Sequence, residues 1–217
     1  RSSGRDDLAL QLLESLAKRD ALTIPTVEKL ALLYASLDDS MRARAHLESL
    51  ANRHPNLPDL LIKLGWISFN DGDYEKTLSY LAHARDLDPS NGKVHLLFGI
   101  ACVELNLGVE AVISFEKAVS LEPENAYYNY AMGAAVLHWK EPAEAIPFFE
   151  KYLQVLPSDP RGEAALAQAR FMNKEYELAG EGFQKVASVP ELAPLAHFYL
   201  GTIARLDLRQ EDAISHL

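Results

Sequence analysis

Apolar residues between Val94 and Leu105 fall at Val94, Leu97, Phe98, Ala101, Cys102 and Leu105, steps of three and four that gather them on one face of an α-helix. After Asn106 to Gly108 the same spacing resumes through Ala111, Val112, Phe115, Ala118, Val119 and Leu121. Two amphipathic helices joined by a short turn are predicted, and no alternating strand pattern competes with them. The second, LGVEAVISFEKAVSLEP (107–123), is echoed 34 residues later by EPAEAIPFFEKYLQVLP (141–157) and preceded by DYEKTLSYLAHARDLDP (73–89).

The 34-residue period runs through the chain in four columns. Small residues occupy the first: Ala31, Gly65, Gly99, Gly133, Ala167 and Gly201. The second holds Ala43, Thr77, Ala111, Ala145, Ala179 and Ala213, with Ala9 in phase upstream. The third is large and apolar, Leu47, Leu81, Phe115, Phe149, Phe183 and Leu217, and the fourth is Pro55, Pro89, Pro123 and Pro157. Turn chemistry sits between them: LDDS (37–40), NDGD (70–73) and NLG (106–108) within helix pairs, Pro-Ser-Asn or Pro-Glu-Asn between units. A Gly or Ala facing an Ala lets two helices approach to about 8 Å while the Leu or Phe fills the layer beside them. One pair cannot bury its own apolar face, so neighbouring pairs must stack.

LLFGIACVELNLGVEAVISFEKAVSLEP (96–123) places Leu, Gly, Ala, Phe, Ala and Pro at the spacings of the tetratricopeptide repeat, and the chain resembles that family from Ile24 to Leu217. The resemblance implies an all-α fold, a right-handed superhelical solenoid of helix-turn-helix repeats with about six repeats. The units are 24–57, 58–91, 92–125, 126–159, 160–193 and a truncated 194–217; 6–23 reads as the second helix of a preceding unit, and 6–217 as a single array. Residues 1–5, RSSGR, read as a linker or cloning remnant, and both ends look cut from a longer array. The sequence also departs from the pattern. Val27, Leu61, His95, Asn129, Glu163 and His197 replace the family's Trp, and its Tyr column survives only as Tyr34. Glu191 takes the proline column of the fifth unit with Pro190 beside it, which predicts an irregular junction, and Pro147 inside a second helix predicts a kink.

The resemblance implies a protein-binding scaffold whose first helices line a concave groove. The family's groove positions fall here on Ile62, Trp66, Phe69 and Asn70, then Lys93, Leu96, Ile100, Val103 and Glu104. Further along they fall on Tyr127, Tyr130, Leu137 and His138, then Arg161, Gln168, Phe171 and Met172, and lastly Phe198, Tyr199, Thr202 and Arg205. On one reading these side chains pack first helix against first helix. On the other, an aromatic stripe led by Trp66, Phe69, Tyr127 and Tyr130 grips an extended or helical peptide segment, with Lys63, Lys93, Arg161 and Arg205 setting its polarity. The Lys-Asn-Asn-Lys-Arg clamp by which some members hold a chaperone C-terminus does not fit: Glu28, Leu32, Ile62, Trp66, Leu96 and Ile100 stand at its positions.

Composition narrows the partners. At 48% hydrophobic and 24% charged residues the chain can bury a core, and its net charge of −10, without a basic stripe, repels nucleic acid. No apolar run approaches the roughly 20 residues of a bilayer span, so no direct membrane insertion is expected. The seven histidines form no HExxH pair and no His-Cys cluster; His95 and His197 share a column three units apart, and surface or packing roles are expected for all. Cys102 falls on the buried side of a first helix, and no phosphate loop, nucleophile elbow, cofactor motif or metal site is present. Neither catalysis nor a cofactor is expected, and the compartment is left open. Two alternatives to a peptide-binding scaffold stay open: an array that stacks on itself or on the rest of a longer chain, and the regulatory region of a larger enzyme.

Overall fold

The computed structural model describes residues 40–53 and 55–215 together with Leu12 and Ser15, with side chains from Arg44 to Leu206 except those of His46 and His54. Segment 6–23 apart from Leu12 and Ser15, and with it Ala9, Val27, Glu28, Ala31, Leu32, Tyr34, His216 and Leu217, lies outside the described residues. Ten helices are formed among the described residues: α1 (Ser40–Arg53), α2 (Pro58–Asn70), α3 (Tyr74–Leu87), α4 (Gly92–Glu104), α5 (Gly108–Leu121), α6 (Ala126–Trp139), α7 (Pro142–Val155), α8 (Pro160–Met172), α9 (Tyr176–Val186) and α10 (Ala193–Ser215). They belong to two compact units, 1–101 and 102–217, the boundary falling within α4.

In the first unit α2 packs against α1 and α3. Leu47 and Leu50 meet Leu60 and Leu64 in one buried cluster, and Leu61, Ile62, Leu81, Ala84 and Val94 form the next. The small-residue column does what its chemistry requires. A Cβ added at Gly65 would come within 3.0 Å of Leu81, and one at Gly133 within 2.9 Å of Phe149, so these glycines admit the large residue of the third column.

In the second unit α5 packs on α6, α6 on α7, α7 on α8, α8 on α9 and α9 on α10. Large and small residues trade places between layers. Tyr152 is buried where α3, α5 and α9 carry Ala84, Ala118 and Val186, and ten residues further on Gly162 stands where they are followed by Val94, Tyr128 and Ala196. A Cβ at Gly162 would lie 2.5 Å from the Tyr152 ring.

Three of the turns within helix pairs close alike. Gly72, Asn106 and Lys174, spaced by one and two periods, adopt φ of 76°, 56° and 65°, and the residue after each donates its N–H across the turn: Asp73 to Ser68 O at 2.8 Å, Leu107 to Cys102 O at 2.8 Å, Glu175 to Arg170 O at 2.9 Å. These are left-handed helix ends in which backbone N–H groups satisfy otherwise open carbonyls. The fourth turn differs because Pro142 forces Glu141 into extended backbone, φ −78° and ψ 133°, and then starts α7. Lys174 carries a Cβ in the left-handed region, so Lys174→Gly is expected to stabilise the chain by roughly 0.5–1 kcal/mol, read as a higher urea midpoint.

α7 runs through Pro147 without a break; Pro147 and Ala143, whose carbonyl the proline ring leaves without its helical donor, are both exposed. The irregular junction expected near Glu191 is a series of turns over 187–192 after the shortened α9, with Val189 N–H bonded to Val186 O and Leu192 N–H to Val189 O. The sixth unit does not form the expected helix pair. α10 continues for 23 residues through Leu208, the position one period beyond Lys174. A branched apolar residue is a poor occupant of a left-handed turn, and nothing in LDLRQED interrupts the helix. No atom lies within 4 Å of where a Gly201 Cβ would be, since no second helix folds back over it.

Candidate peptide-binding faces

The first-helix positions of the first unit are unequal. Ile62 is only 8% exposed and belongs to the buried cluster with Leu61 and Leu81, so it is a core residue and not part of a binding surface. Trp66, on the same helix, is 50% exposed and lies parallel to Phe69, with ring centroids 6.1 Å apart. Phe69 is half-buried, its ring edge-on to Tyr74 at 5.3 Å, which ties the end of α2 to the start of α3. Asn70 and Lys93 are exposed, while Lys63, Leu96 and Ile100 are half-buried. The crevice between Trp66, Phe69, Leu97 and Ile100 encloses only about 10 Å³.

The second unit offers more room. Tyr130, Ala134 and His138 of α6 face Ala165, Gln168 and Met172 of α8 across an open cavity of about 350 Å³. Ala134 opens it, because the same column holds Trp66 and Ile100 in the earlier repeats. Ala134 was absent from the sequence-derived residues, although its small size in that column was the available signal. Tyr127, in the first turn of α6, is 63% exposed, its helix start capped by Asn125, which accepts from the N–H groups of Tyr127 and Tyr128. Tyr130 turns inward, 5.7 Å from Phe149 and 5.0 Å from Tyr152 between ring centroids, so one face serves the core.

The remaining candidates divide the same way. Phe171 is half-buried between Tyr176 at 5.4 Å and Tyr199 at 4.8 Å and repeats the staple of Phe69 and Tyr74. Phe198 is 65% exposed. Arg205 is exposed, its guanidinium 3.5 Å from the Thr202 hydroxyl. Arg161 is held by Asp159, its guanidinium nitrogens 3.4 and 3.2 Å from the carboxylate oxygens, and so braces the start of α8. Among the described residues no group of three or more His, Cys, Asp or Glu is placed to hold a metal ion. No described helix is long and apolar enough to cross a membrane.

Residues 28–57 match the family model for the tetratricopeptide repeat. No curated protein matches the chain. Among solved structures, MamA 41-end from Desulfovibrio magneticus RS-1 superposes with a TM-score of 0.66 at 24% identity, covering 73% of this chain and 90% of that one. YrrB, described as a TPR protein with an unusual peptide-binding site, gives 0.71 at 16% identity over 85% of this chain and 95% of its own. Cut9, in the APC/C hetero-tetramer Cut9-Hcn1, gives 0.71 at 14% identity over 94% of this chain and 40% of its own. The chain shares the fold of these tetratricopeptide-repeat structures and matches the repeat in sequence over 28–57.

The tetratricopeptide repeat explains two departures in the tryptophan column. His95 is buried with its Nε2 3.0 Å from Pro89 O, and Asn129 is buried with its Nδ2 donating to Pro123 O at 2.8 Å and Asn125 O at 2.9 Å. Each replaces apolar filling by a hydrogen bond to the carbonyl of the proline that ends the preceding repeat. Glu163, one period on, instead meets Lys185 at 3.1 Å.

A second polar cluster sets a pH range. Asp159 accepts from the Arg161 N–H at 2.9 Å, beginning α8, and from the Tyr152 hydroxyl at 2.6 Å. The Arg161 and Tyr152 hydrogen bonds hold the Asp159 carboxyl down at about 2, and burial together with the Asp159 carboxylate pushes the Tyr152 hydroxyl up to about 12. The depressed acid stabilises the fold above its unfolded value near 4, and that contribution is lost as pH falls toward 2. The raised phenol contributes fully below its unfolded value near 10, and that contribution is lost as pH rises toward 12. Asp159→Asn is expected to flatten the decline in urea midpoint between about pH 4 and pH 2 relative to wild type.

Proposed function

We propose that this protein is a scaffold that binds a peptide segment of a partner protein on the first-helix face of its second unit. The observation that carries the reading is the cavity at Ala134: it is open, large enough for an aliphatic or aromatic side chain, and rimmed by Tyr130 and Met172 with His138 and Gln168 as polar partners. Tyr127 and Phe198 are aromatic anchors with few rotatable bonds left exposed on the same unit, the kind of side chain that dominates binding energy at interfaces. A peptide-binding site in YrrB, which shares the fold, supports the assignment. Trp66 offers a second exposed anchor on the first unit.

Filling the cavity tests the proposal more cleanly than emptying the core around it. Ala134→Trp, which restores the residue type of Trp66, and Tyr127→Ala are expected to reduce partner capture about 30-fold or more, as removal of a hot spot does, with unchanged far-UV circular dichroism. Affinity capture with mass spectrometry, run side by side on wild type and variants, provides the readout. Equal recovery of the same partners by all three proteins would refute the assignment.

A further inference from the structure

The outer side of α5 carries a surface that repeat packing does not require. Val109 and Ile113, four residues apart on the outer side of α5, are 71% and 59% exposed. The matching positions of α3, α7 and α9 are also exposed and hold Glu75 and Ser79, Ala143 and Pro147, and Glu177 and Glu181. Solvent-facing positions that are polar, small or proline in α3, α7 and α9 are thus β-branched aliphatics in α5.

Trp139 extends the patch. Gly108 stands where α3, α7 and α9 begin with Tyr74, Pro142 and Tyr176, and the half-buried Trp139 indole occupies that space, so that a Cβ at Gly108 would fall 2.7 Å from the ring. Gly108, Val109, Val112, Ile113, Glu116 and Trp139 together line an open cavity of about 480 Å³, larger than the one at Ala134. Leu107 adds an exposed aliphatic edge.

The charges around this patch select a partner. Two charged side chains line the cavity, Lys140 and Glu116. Lys140 lies 4.0 Å from Glu144, whereas Glu116 has no cation within ion-pair distance among the described residues. A second copy of the chain, itself at −10, would bring mainly like charge to this carboxylate. Aliphatic side chains four apart form a ridge of the type that seats between the side-chain rows of another helix.

We propose that this α5–Trp139 surface is a second docking site, distinct from the first-helix face, for a basic amphipathic helix of a protein partner. Aliphatic residues of that helix cover Val109, Ile113 and Trp139, and a Lys or Arg beside them meets Glu116.

The test uses two fluorescein-labelled amphipathic peptides of about 16 residues with the same Leu stripe, one flanked by Lys and one by Glu, titrated by anisotropy. The Lys-flanked peptide is expected to bind at least about tenfold more tightly than the Glu-flanked one, and Ile113→Glu is expected to remove about tenfold or more of that affinity. Glu116→Lys is expected to invert the preference between the peptides, a readout that does not rely on Ile113→Glu retaining its fold. The same two peptides are measured on Tyr127→Ala, where the preference is expected to persist. Equal binding of the two peptides, a preference that survives Glu116→Lys, or loss of binding in Tyr127→Ala alone would overturn the proposal. So would a concentration-dependent doubling of native mass abolished by Ile113→Glu, which would assign the patch to a second copy.

Discussion

Tyr152→Ala is expected to lower stability by about 3–5 kcal/mol, the scale for truncating a buried aromatic. Tyr152 is 2% exposed, its ring fills the space left by Gly162, and its hydroxyl is one of the groups holding Asp159 at the start of α8. The pair also predicts a reversal of sign. In the wild type, Gly162→Ala puts a methyl 2.5 Å from the Tyr152 ring and 2.9 Å from Leu153, so overpacking of about 1–3 kcal/mol outweighs the better helix propensity of Ala. In the Tyr152→Ala background the ring contact is gone and only the flexible end of Leu153 has to shift, so the same substitution is expected to stabilise. Gly162→Tyr in that background rebuilds the Ala118 and Tyr128 arrangement and is expected to recover at least about half of the loss. A double-mutant cycle from urea midpoints measures the coupling, and additive effects would exclude the size exchange.

Gly182→Leu is expected to cost about 3 kcal/mol or more, because the obstacle is close helix packing and not the tip of a flexible side chain. A Cβ at Gly182 would sit 2.8 Å from Ala167 Cβ and 3.6 Å from Ala167 Cα. α8 and α9 would have to separate, disturbing the Phe183 ring beside it, which stacks on Tyr199 with centroids 4.6 Å apart and planes 5° from parallel. Loss of near-UV circular dichroism with far-UV signal retained would report that separation. The exchange Ala167→Gly with Gly182→Ala is expected to be tolerated, since one methyl remains between the same helices; an exchange as damaging as Gly182→Leu would show that the contact is not what limits residue 182.

The repeat was legible because its determinants are local. Helices α2, α4, α6 and α8 begin at 58, 92, 126 and 160, one period apart, where capping residues and prolines fall in column. Apolar spacing of three and four then decides which face of each helix is buried. The same local reasoning extended the last unit into a second helix, and failed where Leu208 replaced a residue able to turn.

The candidate site was less legible, since exposure at a first-helix position depends on what the neighbouring repeat offers. Trp66, Tyr127 and Phe198 stand exposed, whereas Ile62, at an equally allowed position, is drawn into the cluster of Leu61, Leu81 and Val94. Phe69 and Phe171 looked like binding residues, yet Tyr74 and Tyr176, five residues later, turn them into staples of their turns. Arg161 is engaged by the carboxylate that caps its own helix.

By itself the sequence determined the helix pairs, their period and the buried face of each, since these follow from backbone capping and apolar spacing within a few turns of chain. Only the tertiary structure decided which aromatics remain free, that Ala134 opens a cavity, and that Val109, Ile113 and Trp139 form one patch. Those outcomes depend on side-chain volumes in adjacent layers, and a volume mismatch becomes a cavity or an exposed ring only when the layers are stacked.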